Sequence, residues 1–447
     1  MFVICYEARK RWIAGSMRIE RARGTRDFLP AAIWKRRIIE ERMRAIAERW
    51  GYEEIRTPTF ERAELFTLKS GQEILKEMYE FADKGGRQLA LRPEITASVI
   101  RMYLNELKMA PKPTKWYYFG NCFRYEEPQK GRFREFWQFG TEIIGSDSPE
   151  AQAELIALAF AMLKALDVQA ELHVGHVGLI RELLSATTQL NEERINVVMR
   201  LIDKGERAAV IELMGDAGVE QLVIDDLHYL IDLTGKDALQ EARDRGVIAA
   251  ESAALEELQA LLELLAFYGV AYTLNLGIAR GLDYYTGMVF EIYEVGGKLG
   301  AQNQVCGGGS YRLAKLFGGE DIPSTGFAFG FDRLAEIFEV AEGDVRQGGV
   351  VVVPIRDENA DRAITSAAIE MASRLRQYVP THIDLMNRSL KAQLKYANTR
   401  NDLFAVMIGT DELQDGMVTL RDLVTGSQEK LSVDACVERL RARFESR

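Results

Sequence analysis

The spacing of apolar and polar positions changes several times along the chain, and each change predicts a different element. Between 31 and 50, Trp34, Ile38, Ile39, Met43, Ile46 and Trp50 recur at helical spacing behind Pro30, which predicts a long amphipathic helix. Gly51 ends it, and 52–60 reads as a strand. Pro58 within that strand implies an edge or interface position, because proline donates no ladder hydrogen bond. The stretch 88–101 predicts a short strand and then a helix beginning near Pro93, with Glu94 and Thr96 at the junction. Next, 115–126 is rich in Trp, Tyr and Phe, as a strand is, and Pro128–Gly131 breaks it as a turn. The return strand alternates with period two, so Arg134, Phe136, Gln138, Gly140 and Glu142 share one face. A cation, an aromatic ring, an amide, a glycine and a carboxylate do not make a core face; this one is suited to a polar ligand. Arg124 joins that face if the hairpin register allows.

Ser148 and Pro149 open a helix over 148–166, and a strand with His173 and His176 follows. Two histidines at i, i+3 in a strand lie on opposite faces, which argues against a metal pair. From 178 to 267 the chain is rich in Leu, Ala and Glu and almost free of aromatic residues, the signature of an inserted helical module. Strand character resumes at 271–276 and 288–295, glycines cluster at 307–309 and 318–319, and 327–340 runs into a helix. Residues 342–349 read as a linker. Beyond it strand and helix alternate, predicting a mixed sheet flanked by helices in a separate domain of about 100 residues. The expected organisation is an extension of unknown role at 1–16, a core at 17–177 and 268–341 interrupted by a helical insertion at 178–267, and a last domain at 348–447.

The 447 residues are 47% hydrophobic and 28% charged, ordinary for a globular protein. No apolar run approaches the ~20 residues that cross a bilayer, and the charged start does not read as a signal peptide. Cys5, Cys122, Cys306 and Cys436 are scattered without a CxxC pair, which fits reduced thiols in a cytoplasmic protein. A net charge of −10 argues against coating nucleic acid non-specifically, while leaving room for a local basic patch.

Three separated segments place arginines or acids beside tight turns: 124–142, 279–286 (ARGLDYYT) and 326–334 (GFAFGFDRL). Arginine suits planar phosphate recognition and stays charged at physiological pH. Arg333 lies near a helix start and Arg280 sits between Ala279 and Gly281, although any one of these arginines alone reads more readily as a surface ion pair than as a ligand.

Together the segments resemble the class II aminoacyl-tRNA synthetases. The long helix with Gly51, Tyr52 and Pro58 is similar to their motif 1, FRYEEPQKGRFREFWQFGTE (123–142) to motif 2, and GFAFGFDRL to motif 3. LRPEITASVIR (91–101) and ARGLDYYTG (279–287) resemble one member family, the histidyl-tRNA synthetases. The resemblance implies an α+β class II catalytic core on an antiparallel sheet, with a helical insertion and a C-terminal α/β anticodon-binding domain. It also implies a homodimer through motif 1, and ATP-dependent ligation of L-histidine to tRNA(His) through histidyl-adenylate, with Mg²⁺ accompanying ATP and no fixed protein metal site. By the same resemblance Glu94, Thr96 and Gln138 hold the amino-acid backbone groups, Glu142 and Tyr285 read the imidazole, and Tyr284 lines the pocket. Arg124 grips the α-phosphate, Arg280 sits opposite at the reacting carboxylate, Arg132 adds a nucleotide contact, Phe136 stacks on the base and Arg333 lies against adenine. Gln129, Lys130, Arg388 and Lys391 are candidates for tRNA contact.

Two departures from the family pattern stand out. Gly-Gly-Gly-Ser-Tyr (307–311) replaces a common Gly-Gly-Arg-Tyr-Asp, so Ser310 and Tyr311 receive no role, and Glu127 replaces an arginine in the motif 2 turn. The competing reading is a non-catalytic paralogue, the regulatory subunit of ATP phosphoribosyltransferase. That paralogue generally lacks the anticodon domain and part of the ATP and histidine set.

Overall fold

The computed structural model describes residues 19–70, 75–126, 132–278, 284–341, 344, 348–356 and 361–445. The chain divides into two compact units, Met1–Glu339 and Val340–Arg447.

The first unit opens with helix α1 (Pro30–Arg49), which starts on Pro30 and buries Ile38, Ile39, Met43 and Ala47. The strand expected over 52–60 is not continuous. Only β1 (Glu53–Glu54) and β2 (Phe60–Arg62) pair, and they belong to different sheets. Pro58 lies in the unpaired stretch between them, where its missing N–H costs no ladder bond. Strands β3 (Tyr79–Ala82) and β4 (Gln88–Leu91) join β2 in a three-stranded antiparallel sheet. Helix α2 (Thr96–Met102) begins three residues beyond Pro93, because Glu94 accepts from the Ala97 backbone N–H and so caps the first turn.

Strands β5 (Thr114–Phe123) and β6 (Glu135–Ile144) form the expected hairpin. Helix α3 (Pro149–Ala165) is capped by Ser148, whose Oγ accepts from Ala151 N. Strand β7 (Ala170–His176) leads into six helices: α4 (Val177–Ser185), α5 (Glu192–Asp203), α6 (Arg207–Asp216), α7 (Gln221–Asp232), α8 (Ala238–Arg245) and α9 (Ala253–Phe267). The chain then returns through β8 (Thr273–Leu274), β9 (Tyr285–Glu294), β10 (Gln304–Tyr311), β11 (Ser324–Gly330) and helix α10 (Phe331–Ile337). The glycine cluster at 307–309 is thus strand, not loop. Eight strands make one sheet in the order β1-β5-β6-β11-β10-β9-β7-β8. Its six central strands are antiparallel, and β1 and β8 add parallel edges.

The second unit is a five-stranded mixed sheet, order β13-β12-β14-β15-β16. Its strands are β12 (Val350–Pro354), β13 (Thr381–Ile383), β14 (Phe404–Ile408), β15 (Met417–Asp422) and β16 (Gln428–Ser432). Helices α11 (Asp361–Leu375), α12 (Leu390–Thr399) and α13 (Val433–Glu445) accompany them. Strand β16 and helix α13 escape the hydrophobic pattern. The strand alternates only between half-buried and exposed residues, and the helix buries just Cys436, Val437 and Leu440.

Candidate active site

One face of the eight-stranded sheet carries the site. Register fixes its membership: Trp116 opposes Glu142, Tyr118 opposes Gly140, Gly120 opposes Gln138 and Cys122 opposes Phe136. On the other side of β6, Gly326, Ala328 and Gly330 oppose Glu142, Gly140 and Gln138. Arg124 extends the same row, its N–H donating to the Arg134 carbonyl. From Phe136 to Glu142 the period-two face read from the sequence exists, and its register brings in Tyr118 and Cys122; Arg134 precedes β6 and lies over the Tyr125 ring instead.

At one end Glu142, 1% exposed, is ringed by hydroxyl groups. Its carboxylate accepts from Thr96 Oγ1 (2.8 Å), Tyr311 OH (2.6 Å) and Tyr118 OH (3.3 Å). Burial pushes the Glu142 carboxyl up to about 8; the three hydroxyl donors pull it the other way, and the Glu94 charge adds to the rise. Burial likewise drives the Tyr118, Tyr284 and Tyr311 phenols well above their ordinary range, so they remain neutral O–H groups. Tyr284 and Tyr285 pack 4.7 Å apart between ring centres, and Tyr284 meets Tyr311 edge-on at 5.6 Å. Glycines make this crowding possible. A Cβ on Gly326 would lie 1.6 Å from Glu142 Oε2, and one on Gly140 would lie 2.4 Å from the Tyr118 hydroxyl. Tyr311 and Tyr118 were missed from sequence because only strand register puts them over Glu142. Thr96, expected at the amino-acid backbone groups, donates here to Glu142.

Gln138 marks the middle of the face. Its Oε1 lies 3.3 Å from Cys122 Sγ, and burial pushes that thiol up to about 12, leaving an uncharged donor rather than a nucleophile. Arg92, behind it, is buried and donates to the Thr57, Pro58 and Asn121 carbonyls, which ties the unpaired stretch before β2 to the end of β5.

The other end opens into a cleft of about 280 Å³ lined by Arg124, Arg132, Phe136, Gln138 and Arg333, with Glu126 among them. Arg124 lies over the Phe136 ring, 5.2 Å from its centre, and its Nε donates to the Pro93 carbonyl at 3.0 Å. Glu126 lies between Arg124 (3.8 Å) and Arg132 (3.6 Å). Arg333 donates to the Gln304 carbonyl. Burial lowers the Arg333 pKa, and the Arg132 and Arg124 charges add to the lowering against the opposing charges of Glu126 and Glu336. Its wall is held by Asp332, which accepts from Arg26, Arg36 and the Trp137 backbone N–H. Arg36 in turn lies over the Phe28, Trp137 and Phe331 rings.

Among the described residues, no group of three or more His, Cys, Asp or Glu side chains gathers as a metal cage. The cleft is lined by two carboxylates, Glu126 and the arginine-paired Asp332, and Glu291 approaches it by accepting from the lining residue Gln304 at 2.8 Å. One or two carboxylates beside a polyphosphate suit Mg²⁺ that keeps most of its ligands from the nucleotide and water. Cys122, Cys306 and Cys436 are buried thiols. His173 and His176 face opposite sides of the sheet: His173 packs on Tyr293, while His176 is buried beside Glu257. In the second unit, Arg388 pairs with Asp384 and stacks over Tyr396 at 4.3 Å, on the helix that carries Lys391. Arg280, Gln129, Lys130, Glu127 and the segment 1–16 lie outside the described residues.

A sheet of this order, with an acid pocket and an arginine-rimmed cleft on one face, is the architecture of a class II aminoacyl-tRNA synthetase. The family model for histidyl-tRNA synthetase matches residues 24–334, and that for the anticodon binding domain matches 349–443. The chain belongs to the histidyl-tRNA synthetase family. It is 50% identical to a histidine–tRNA ligase of Methanosarcina acetivorans, over 95% of this chain and 99% of that protein. It is also 50% identical to the Archaeoglobus fulgidus histidine–tRNA ligase, over 92% and 97%. Among solved structures, apo histidyl-tRNA synthetase of S. aureus superposes with a TM-score of 0.72 at 29% identity, covering 95% of this chain and all of that one. A Bacillus halodurans protein described as an ATP phosphoribosyltransferase regulatory subunit/histidyl-tRNA synthetase gives 0.73 at 27%, covering 88% and 99%.

Proposed function

We propose that this chain carries out its family's reaction, ATP-dependent ligation of L-histidine to tRNA(His), with the two ends of the sheet face binding the two small substrates. The observation that carries this reading is the joining of a buried carboxylate, ringed by hydroxyls, to a cleft lined by three arginines. Glu142 takes the imidazole N–H and Tyr285 serves the other ring nitrogen, with Tyr284 closing the pocket. A pocket with both partners leaves them unpaired against an apolar analogue, which is how polar sites reject such analogues strongly. Glu94, Gln138 and Thr96 face the ammonium side.

In the first step a histidine carboxylate oxygen bonds to the α-phosphorus as the bond to the bridging oxygen breaks, and pyrophosphate leaves. Both reactants are anions, so the protein's part is to align them and neutralise charge. Arg124 does so from its place over Phe136, and the family resemblance sets Arg280 on the other side. Phe136 and Arg333 sandwich the base, and Arg132 meets the outer phosphates. Mg²⁺ bound with ATP would supply further charge neutralisation, and Glu126 or Glu291 is the residue that would hold it. Transfer to the terminal ribose of tRNA follows, with Gln129 and Lys130 at the acceptor end and Arg388 and Lys391 at the anticodon. Exposed Phe60 and Phe81, packed edge-to-face on the three-stranded sheet, support a homodimer through the motif 1 region. No helix among the described residues is long and apolar enough to cross a membrane, and a cytoplasmic location fits the buried thiols.

Histidine-dependent ATP–pyrophosphate exchange without tRNA tests the reading. Exchange is expected with L-histidine and with no other amino acid. Its absence at saturating substrates would return the chain to the regulatory-subunit reading.

A further inference from the structure

Strand β10 meets β9 imperfectly where the pocket is built. Gly309 opposes Val289 and Tyr311 opposes Tyr285, so the three residues 286–288 of β9 face the single residue Ser310. Bulges of this kind re-aim side chains and leave backbone unpaired. Here the bulge is flanked by Tyr285 and Tyr311, both of which line the imidazole pocket.

On the opposite face of the sheet a buried polar cluster fills the gap. Gln152 of α3, 0% exposed, has its amide nitrogen 3.1 Å from Ser310 Oγ, 2.5 Å from Glu257 Oε1 of α9 and 2.7 Å from the Asp147 carbonyl. His176, at the end of β7, accepts from Gly178 N–H through Nδ1, which leaves its proton on Nε2, 3.4 Å from Glu257 Oε2. Gly287, inside the bulge, makes room. A Cβ there would lie 3.3 Å from both Glu257 Oε1 and Ser310 Cβ and 3.6 Å from His176 Nε2. Four segments distant in sequence thus converge on one irregular point of the sheet. Burying such groups is costly, and within the cluster Gln152 Oε1 and His176 Nε2 still have no hydrogen-bond partner.

We infer that Gln152, Ser310, Glu257 and His176 are positioning residues for the imidazole pocket, holding the bulge that aims Tyr285 and Tyr311 at the histidine side chain. The cluster also makes α9, the last helix of the inserted module, a support of that pocket. This rests on the reading of Glu142, Tyr285 and Tyr311 as the imidazole site. Because the cluster lies behind the sheet and touches neither substrate, its loss should alter histidine recognition and spare the nucleotide cleft.

The test is a KM comparison in the pyrophosphate-exchange assay, with thermal unfolding measured in parallel. Ser310→Ala should raise the histidine KM about fivefold, as for one lost hydrogen bond, and Gln152→Leu roughly tenfold or more, with the ATP KM changed less than about twofold. Glu257→Gln keeps the shape and weakens the pairing with His176, so it should give an intermediate rise in the histidine KM. If Gln152→Leu does not fold, Ser310→Ala and Glu257→Gln decide. Unchanged histidine KM in both, or equal rises in both KM values, would overturn the positioning role. Tyr311→Phe separates the two levels. If it raises the histidine KM while the cluster variants do not, the pocket reading stands and the inference falls. If it has no effect, the pocket reading falls and takes the inference with it.

Discussion

The two ends of the active face solve opposite electrostatic problems with the same pair of strands. At the Glu142 end, solvent is excluded, glycines let side chains lie flat on the sheet, and a single carboxyl is held near neutrality by burial against three donors. At the Arg333 end, the cleft is open and lined by guanidinium groups that repel one another. The first end gains selectivity from desolvation, because every polar atom left unmatched is expensive there. The second gains attraction from three guanidinium groups whose charge Glu126 offsets only in part, an attraction that tolerates imprecise geometry. The lesson is that tolerance to substitution should differ sharply along one strand.

The largest contrast should come from Glu142→Gln, which replaces the carboxylate acceptor with a neutral amide, a weaker acceptor that brings a donor of its own. Histidine kcat/KM is expected to fall roughly 10³-fold or more while ATP binding, followed by nucleotide titration, changes little. Equal losses for both substrates would erase the distinction between the ends. Arg124→Ala should lower the activation rate roughly 10²–10³-fold, as for loss of one preorganised charge donor, with the histidine KM near wild type. Gly326→Ala should cost about 10²-fold in histidine use, because the new methyl displaces the Glu142 carboxylate by an ångström or more. Gly330→Ala, at the nucleotide end, is the counterpart. Its Cβ would meet Arg333 Cδ at 3.6 Å, Arg333 Cγ at 3.8 Å and the Val305 carbonyl oxygen at 3.9 Å, all ordinary contacts, so activity should stay within about twofold.

Acidity gives a subtler probe. The folded pKa of Glu142 is raised to about 8, above its ordinary value of 4.5, so the folded state binds this proton more tightly than the unfolded one. Its stabilising contribution is whole below pH 4.5 and is lost as pH rises through 8. Without substrate, the wild type should lose thermal stability across that window more steeply than Glu142→Gln. Parallel curves would show that Glu142 is not desolvated.

The arginine-rich end was the more legible in sequence, since Arg124, Arg132, Phe136 and Arg333 line one cleft as their motifs suggest. At the other end, alternation identified Glu142 and Gln138 but not the residues that face them. Tyr118 depends on hairpin register, and Tyr311 on a strand 169 residues away, so neither leaves a local trace. Thr96 was seen as a site residue, but its bond to Glu142 follows from where Glu94 starts the helix. Pro58 warned of an edge without revealing that β1 and β2 belong to separate sheets. Gly140 reads in sequence as one member of a polar face and Gly326 as part of a motif, and only the structure shows that their missing Cβ atoms make room for the Tyr118 hydroxyl and the Glu142 carboxylate.

Asp332 carries a consequence for how the molecule comes into being. Its partner Arg26 precedes it by 306 residues, and Arg36 by 296. During synthesis the N-terminal segment therefore emerges long before the residue that anchors it, by roughly a quarter of a minute to a minute at ordinary elongation rates. Until then one wall of the nucleotide cleft has no keystone. Chains cut short before residue 332 should leave the ribosome with both motif 1 and motif 2 complete and still be unable to hold ATP, so the catalytic unit becomes competent only once nearly all of it has been made.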